Sequence, residues 1–186
     1  MGVIVDGRLK LTYQEYRHFP DDGRRHELVD GEHYVAPAPG TGHQAASGRI
    51  FAQLFRQIEE AGLGRVFAAP TDVELSEVDI VQPDLVVVLQ KRERIVSPSR
   101  IVGAPDLVVE IVSPSTAARD RELKRLLCER SGVPVYWLVD PDAQEVTVFE
   151  ADAHGGGRDR ETGVFRERVG FALNDARAVV ELDRVW

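Results

Sequence analysis

The sequence predicts an α/β fold, a mixed β-sheet flanked by helices, on three observations. Short apolar runs of strand length are separated by two segments of helical period. The densest runs, Leu85-Val86-Val87-Val88 and Leu107-Val108-Val109, have the continuous β-branched character of strands buried on both faces. No internal repeat or low-complexity linker divides the 186 residues, 43% of them hydrophobic, so residues 1–186 are expected to form one domain.

The elements follow in order. Thr12 with Glu15 is a capping-box pattern and predicts a short helix over Tyr13 to Phe19, ended by Pro20 and Asp21-Asp22-Gly23. His26 to Val29 and Glu32 to Val35 flank Asp30-Gly31, a dipeptide suited to the positive φ angles of a tight hairpin. Ile50, Phe51, Leu54, Phe55, Ile58 and Ala61 share one side of a 3.6-residue period, which predicts an amphipathic helix from about His43 to Ala61, stopped at Gly62. Strands are expected at about Arg65 to Leu75, Asp79 to Leu89, Asp106 to Val112, Pro134 to Val139, Glu145 to Glu150 and Val164 to Val169. A second helix is expected from about Ser115 to Ser131, closing at Gly132, with Leu123, Leu126 and Leu127 as its buried stripe. Gly155-Gly156-Gly157 lacks the Lys-Ser/Thr pair of a phosphate loop and reads as a hairpin tip.

Composition narrows the function. A formal net charge of −8 at pH 7 argues against general affinity for nucleic acid, which depends on clustered Lys and Arg. A metal-dependent nuclease is still compatible, because bound cations neutralise the site carboxylates, and Lys91 to Arg94 or Arg119 to Arg125 could hold a phosphate backbone. A single cysteine, Cys128, excludes an internal disulfide or a multi-cysteine zinc site and is expected to pack in the core. No apolar run approaches a bilayer's thickness and no targeting segment opens the chain, so a soluble, cytoplasmic protein with no membrane partner is expected.

The chemistry starts from a doubled phrase. Pro83-Asp84-Leu85-Val86-Val87-Val88 returns as Pro105-Asp106-Leu107-Val108-Val109-Glu110, with a glutamate where the first copy has its last valine. A lone carboxylate in a buried strand costs several kcal/mol or shifts its pKa, unless it is paired or holds a metal. Asp106 and Glu110 lie on one face but about 13 Å apart at a rise of roughly 3.3 Å per residue, too far to share an ion. Antiparallel pairing of the two runs would instead set Asp84 beside Glu110. Two neighbouring strand carboxylates, completed by waters and the Ile111 carbonyl, suit Mg²⁺ or Mn²⁺. Lys124 can lean toward the sheet, where a lysine beside bound water and phosphate positions or deprotonates the nucleophile. Spacing alone favours an ordinary i, i+4 helix pair for Asp120 and Lys124. His43 and Gln44, at a helix start, suit either an anion contact or a capping role. Ser113 and Ser115 have no histidine partner and suit a helix start, while Tyr136 and Trp137 suit the core.

Together these residues resemble the PD-(D/E)XK nuclease superfamily, and within it the Uma-two family of restriction-endonuclease-like proteins. The resemblance covers most of the chain from Leu11. It is carried by Glu27-Leu28-Val29-Asp30-Gly31-Glu32, Pro39 with His43-Gln44, Gln82-Pro83-Asp84-Leu85, Pro105 to Thr116 (PDLVVEIVSPST), Asp120 with Lys124, and Gly132 to Pro141 (GVPVYWLVDP). It implies a restriction-endonuclease-like core and Mg²⁺-dependent phosphodiester hydrolysis, with Asp84 and Glu110 as metal ligands and Glu27 as an auxiliary acid. The superfamily's lysine commonly follows the second acid by two residues; that position is Val112 here, and Lys124 on the next helix takes its place.

The expected function is therefore an endonuclease acting on nucleic acid, DNA in the first instance, and a homodimer would let two such sites address two strands. The alternative is a catalytically inactive nuclease-like module with a binding or regulatory role, suggested by the acidic surface and the absent lysine at Val112. Sugar hydrolysis by paired carboxylates needs one raised carboxyl pKa, which a nearby Lys124 would oppose.

Overall fold

The computed structural model describes residues 2–5, 7–112, 117–151 and 159–186. In chain order the elements are β1 (Val3–Val5), β2 (Arg8–Lys10), α1 (Tyr13–Tyr16), β3 (Arg25–Val29), β4 (Glu32–Ala36) and α2 (Thr41–Leu54). A π-helical turn at Phe55–Glu59 then leads to β5 (Gly64–Ala68), β6 (Val73–Ser76), β7 (Asp79–Val81) and β8 (Leu85–Leu89). A 3₁₀ turn at Gln90–Ile95 precedes β9 (Ile101–Val102), β10 (Leu107–Ile111), α3 (Ala117–Arg130) and β11 (Val135–Asp140). The chain ends through β12 (Glu145–Ala151), β13 (Asp159–Phe165), β14 (Arg168–Leu173) and β15 (Ala176–Glu181).

A central six-stranded sheet has the order β13-β12-β11-β10-β8-β5, and a five-stranded sheet the order β4-β3-β7-β6-β9. The central sheet is mixed: β10 and β11 are parallel, joined across α3, while its other pairs are antiparallel. On one face Leu85, Val87, Leu107, Val109 and Trp137 pack against Ile50, Leu54 and Ile58 and against Phe171, Ala178 and Val180 of the β14–β15 hairpin. On the other, Val86 and Val88 pack with Val29, Val73, Val81, Ile101 and Leu127. Coverage on both faces is why β8 and β10 read as unbroken apolar runs. Trp137 is fully buried at the centre of this layer. Trp137→Ala is expected to lower stability by about 3–5 kcal/mol, read as a fall in the urea midpoint at unchanged m-value.

The mixed sheet flanked by helices, the capping box at Thr12 and Glu15, and the hairpin at Asp30 and Gly31 (φ 54° and 74°) are all present. Several boundaries differ from expectation. The run from Arg65 to Leu75 is two strands in different sheets, divided at Ala69-Pro70, where proline has no N–H for the ladder. Asp79 to Leu89 is likewise divided at Gln82-Pro83-Asp84, so the chain passes from one sheet to the other immediately before Leu85. Val164 to Val169 spans the turn between β13 and β14 rather than one strand. Ser113, Ser115 and the Gly155-Gly156-Gly157 tip lie outside the described residues.

Candidate metal centre and active site

The site forms where the two sheets meet. On β3 the period of two turns His26 and Leu28 to one face, Leu28 packing with Tyr16 and Ile80. It turns Arg25 and Glu27 to the other, where both reach the carboxylate cluster. Glu27 is buried and its Oε1 accepts from the Gln82 backbone N–H at 2.8 Å and lies 2.9 Å from Lys124 Nζ.

Antiparallel pairing of β8 with β10 sets Leu85 opposite Val109 and Val86 opposite Val108, and one further step of that register sets Asp84 opposite Glu110. Asp84 is buried, with both oxygens engaged. Its Oδ1 accepts from Arg25 Nη1 at 2.6 Å; its Oδ2 accepts from His43 Nε2 at 3.0 Å and from the Ile111 backbone N–H at 2.8 Å. A strand residue's N–H and C=O point to the same side, so the Ile111 carbonyl also faces the Asp84 edge. Glu110 Oε1 lies 3.1 Å from Lys124 Nζ.

Lys124 enters from α3, whose buried face carries Leu127 and Cys128, three and four residues further on. Leu126, expected in the buried stripe, is turned outward and 43% exposed, because the inward face is centred nearer Lys124. Arg125 and Glu129 pair with each other at 3.0 Å, and Arg125 lies over the Phe149 ring. The side chain of Asp120 lies outside what the structure describes.

Electrostatics follow from burial. Burial pushes the Glu110 carboxyl up to about 8, aided by the neighbouring Asp84 and Glu27 charges and outweighing the pull of Lys124. Lys124 was expected to hold such a carboxyl down; the removal of water is the stronger effect. Burial also acts to raise Asp84, but the His43 hydrogen bond and the His43 and Arg25 charges hold its carboxyl below the usual range. Burial acts to lower Lys124, and the Glu110 and Glu27 carboxylates overcome it and raise its pKa.

Asp84 and Glu110 supply oxygen donors only, as Mg²⁺ prefers. Among the described residues no three His, Cys, Asp or Glu side chains are spaced to share an ion, so a cation here would take two carboxylates and complete its shell with water. That donor set fits Mg²⁺, which keeps several waters, better than a dehydrated transition-metal cage.

The other residues singled out in the sequence fall outside this cluster. Asp106 Oδ2 accepts from the Leu89 backbone N–H at 2.7 Å and, fully buried, pins β10 to the end of β8. Cys128, Tyr136 and Trp137 are buried core residues. Two basic partners of Asp84 were not foreseen in that role: Arg25, whose shared parity with Glu27 was the available signal, and His43, whose placement against Asp84 had no local signature.

Comparisons with known proteins bear on the fold and the family. A crystal structure described as "a putative nuclease belonging to DUF820", from Anabaena variabilis, superposes with a TM-score of 0.74 over 94% of this chain and 97% of its own, at 20% identity, and so shares the fold. The uncharacterized protein slr1290 of Synechocystis sp. is 28% identical over 149 residues, which is 78% of this chain and 77% of the relative. The model of the Uma2 family, described as "Putative restriction endonuclease", matches residues 13–176, and the chain belongs to that family.

Proposed function

We propose that this protein is a Mg²⁺-dependent endonuclease that hydrolyses phosphodiester bonds of nucleic acid, with DNA as its substrate. The observation that carries the reading is one buried cluster in which Asp84 and Glu110 stand side by side across two strands while Lys124 bridges Glu110 to Glu27. Asp84, Glu110 and the Ile111 carbonyl would hold the ion, which supplies an activated water and neutralises charge on the phosphate. Lys124 is held protonated by its two acids, so it acts as a hydrogen-bond donor to the attacking water or a phosphoryl oxygen and not as the base. Glu27 fixes the Lys124 ammonium and, through the Gln82 N–H, the loop that carries Asp84. None of the described helices is long and apolar enough to cross a membrane. We assign the protein to the cytoplasm, acting as a homodimer on two strands.

Asp84→Asn and Glu110→Gln are each expected to cut Mg²⁺-supported cleavage at least about 10³-fold. Wild-type cleavage by both variants would sink the assignment. The second reading, a non-catalytic binding or regulatory module, is favoured by one observation: Arg25 and Lys124 already compensate Asp84 and Glu27. Calorimetric titration with Mg²⁺ or Mn²⁺ decides between them, since a module of that kind has no use for the ion.

A further inference from the structure

Arg25 stands two residues before Glu27 on β3, and its only partner among the described residues is Asp84 Oδ1, 2.6 Å from Nη1. Its guanidinium carries five N–H donors, most of them therefore unspent. The other two basic side chains of the cluster are more tightly committed. Lys124 is shared by Glu27 and Glu110, and His43 shares Asp84 Oδ2 with the Ile111 N–H. Arg25 is also the most open of the three, with its side chain 21% exposed, while the Asp84 carboxylate beneath it is 2% exposed.

Two consequences follow. Oδ2 of Asp84 is already satisfied twice, so Oδ1 is the oxygen a divalent cation would take, and Arg25 covers it. Arg25 and Lys124 also already face Asp84 and Glu27, so these charges are matched before any ion arrives. Adding two positive charges overbalances the cluster unless a cation withdraws or an anion enters, because like charges a few ångströms apart in a partly buried site repel strongly. Arginine is the side chain best shaped to do both. Its planar fork grips two phosphate oxygens as readily as a carboxylate.

Resting on the reading of the cluster as a metal-dependent phosphodiesterase, we propose that Arg25 is a substrate-phosphate ligand stored on Asp84. In the free protein its guanidinium neutralises Asp84. When a divalent cation takes over Oδ1, the guanidinium transfers to the non-bridging oxygens of the scissile phosphodiester, so cation and substrate anion bind cooperatively, each tightening the other by the same factor.

The test is calorimetric titration of the full chain with Mn²⁺, with and without dimethyl phosphate as a phosphodiester that is not turned over, alongside a cleavage assay. Arg25→Gln is expected to bind Mn²⁺ about tenfold more tightly than wild type, since the competing charge is gone. Its cleavage at saturating Mn²⁺ is expected to fall about 100-fold. A residue that merely held the fold together would not improve metal binding when removed. In wild type, saturating dimethyl phosphate is expected to tighten Mn²⁺ several-fold, and in Arg25→Gln that coupling disappears. Unchanged or weaker Mn²⁺ binding by a folded Arg25→Gln overturns the proposal. If that variant does not fold, wild type decides alone: Mn²⁺ affinity indifferent to dimethyl phosphate overturns it, and several-fold tightening upholds it. Wild type that binds no Mn²⁺ removes the parent reading and this one together, whereas Mn²⁺ binding with Arg25→Gln unaltered removes this one only.

Discussion

Lys124→Met is expected to abolish cleavage and to destabilise the metal-free protein by about 3–5 kcal/mol, the usual cost of leaving a buried charge without its partner. Methionine keeps most of the apolar stem on the inward face of α3. What disappears is the ammonium, 2.9 Å from Glu27 and 3.1 Å from Glu110, both carboxylates being shielded from water. Each acid must then take a proton or draw in water, so the loss is expected to grow as pH rises. Above about pH 8, where Glu110 ionises, adding Glu110→Gln to Lys124→Met removes one stranded charge and should restore about half of the lost stability, with no return of cleavage. That separation is the informative outcome, because it distinguishes a lysine needed for chemistry from one needed only to balance the fold. Urea denaturation of the two variants against wild type measures the first quantity, and single-turnover cleavage the second. Full cleavage by the single variant would remove Lys124 from the mechanism.

How far the sequence revealed this site depended on whether the information was local. The facing of Asp84 and Glu110 was legible because a doubled apolar phrase with a period of two admits few registers, and the antiparallel one brings the acids together. The helical wheel allowed Lys124 to lean toward the sheet while its role came from the family resemblance, and Leu126 was assigned to the wrong side of the helix. Glu27 entered through the family resemblance, not through any local signal. Arg25 and His43 come to Asp84 from 59 and 41 positions earlier in the chain (84 − 25 and 84 − 43), and no periodicity encodes such a meeting. The strand divisions were hidden for a related reason. Apolar β-formers continue on both sides of Pro70 and Pro83, so propensity runs on while the chain changes sheets. The edge hairpin β1–β2 leaves Ile4 and Leu9 exposed, without the half-buried alternation that marks a strand.

The proton on Glu110 gives the cluster a pH signature that can be read without cleavage. Burial raises this carboxyl to about 8 from an ordinary 4.5, so between those values the folded protein binds a proton that the unfolded chain releases. Stability from this group is therefore fully present below about pH 4.5 and is lost as pH rises through about 8. Asp84 has the opposite sign. Its carboxyl is held low by His43 and Arg25, so its contribution is present above the ordinary carboxylate range and is lost as pH falls through its own lowered value. Metal-free wild type should thus weaken at both ends, through Asp84 in acid and Glu110 in alkali. Glu110→Gln cannot ionise and should escape the alkaline decline. Its stability relative to wild type is expected to be near zero at pH 4.5 and to reach on the order of 3 kcal/mol in its favour at pH 9. Mg²⁺ should flatten the alkaline limb of wild type only, since the cation takes the place of the proton on Glu110. Urea melts at pH 4.5, 7 and 9, with and without Mg²⁺, measure all of this, and a Glu110→Gln variant offset from wild type by the same amount at every pH would show that the glutamate is ionised throughout.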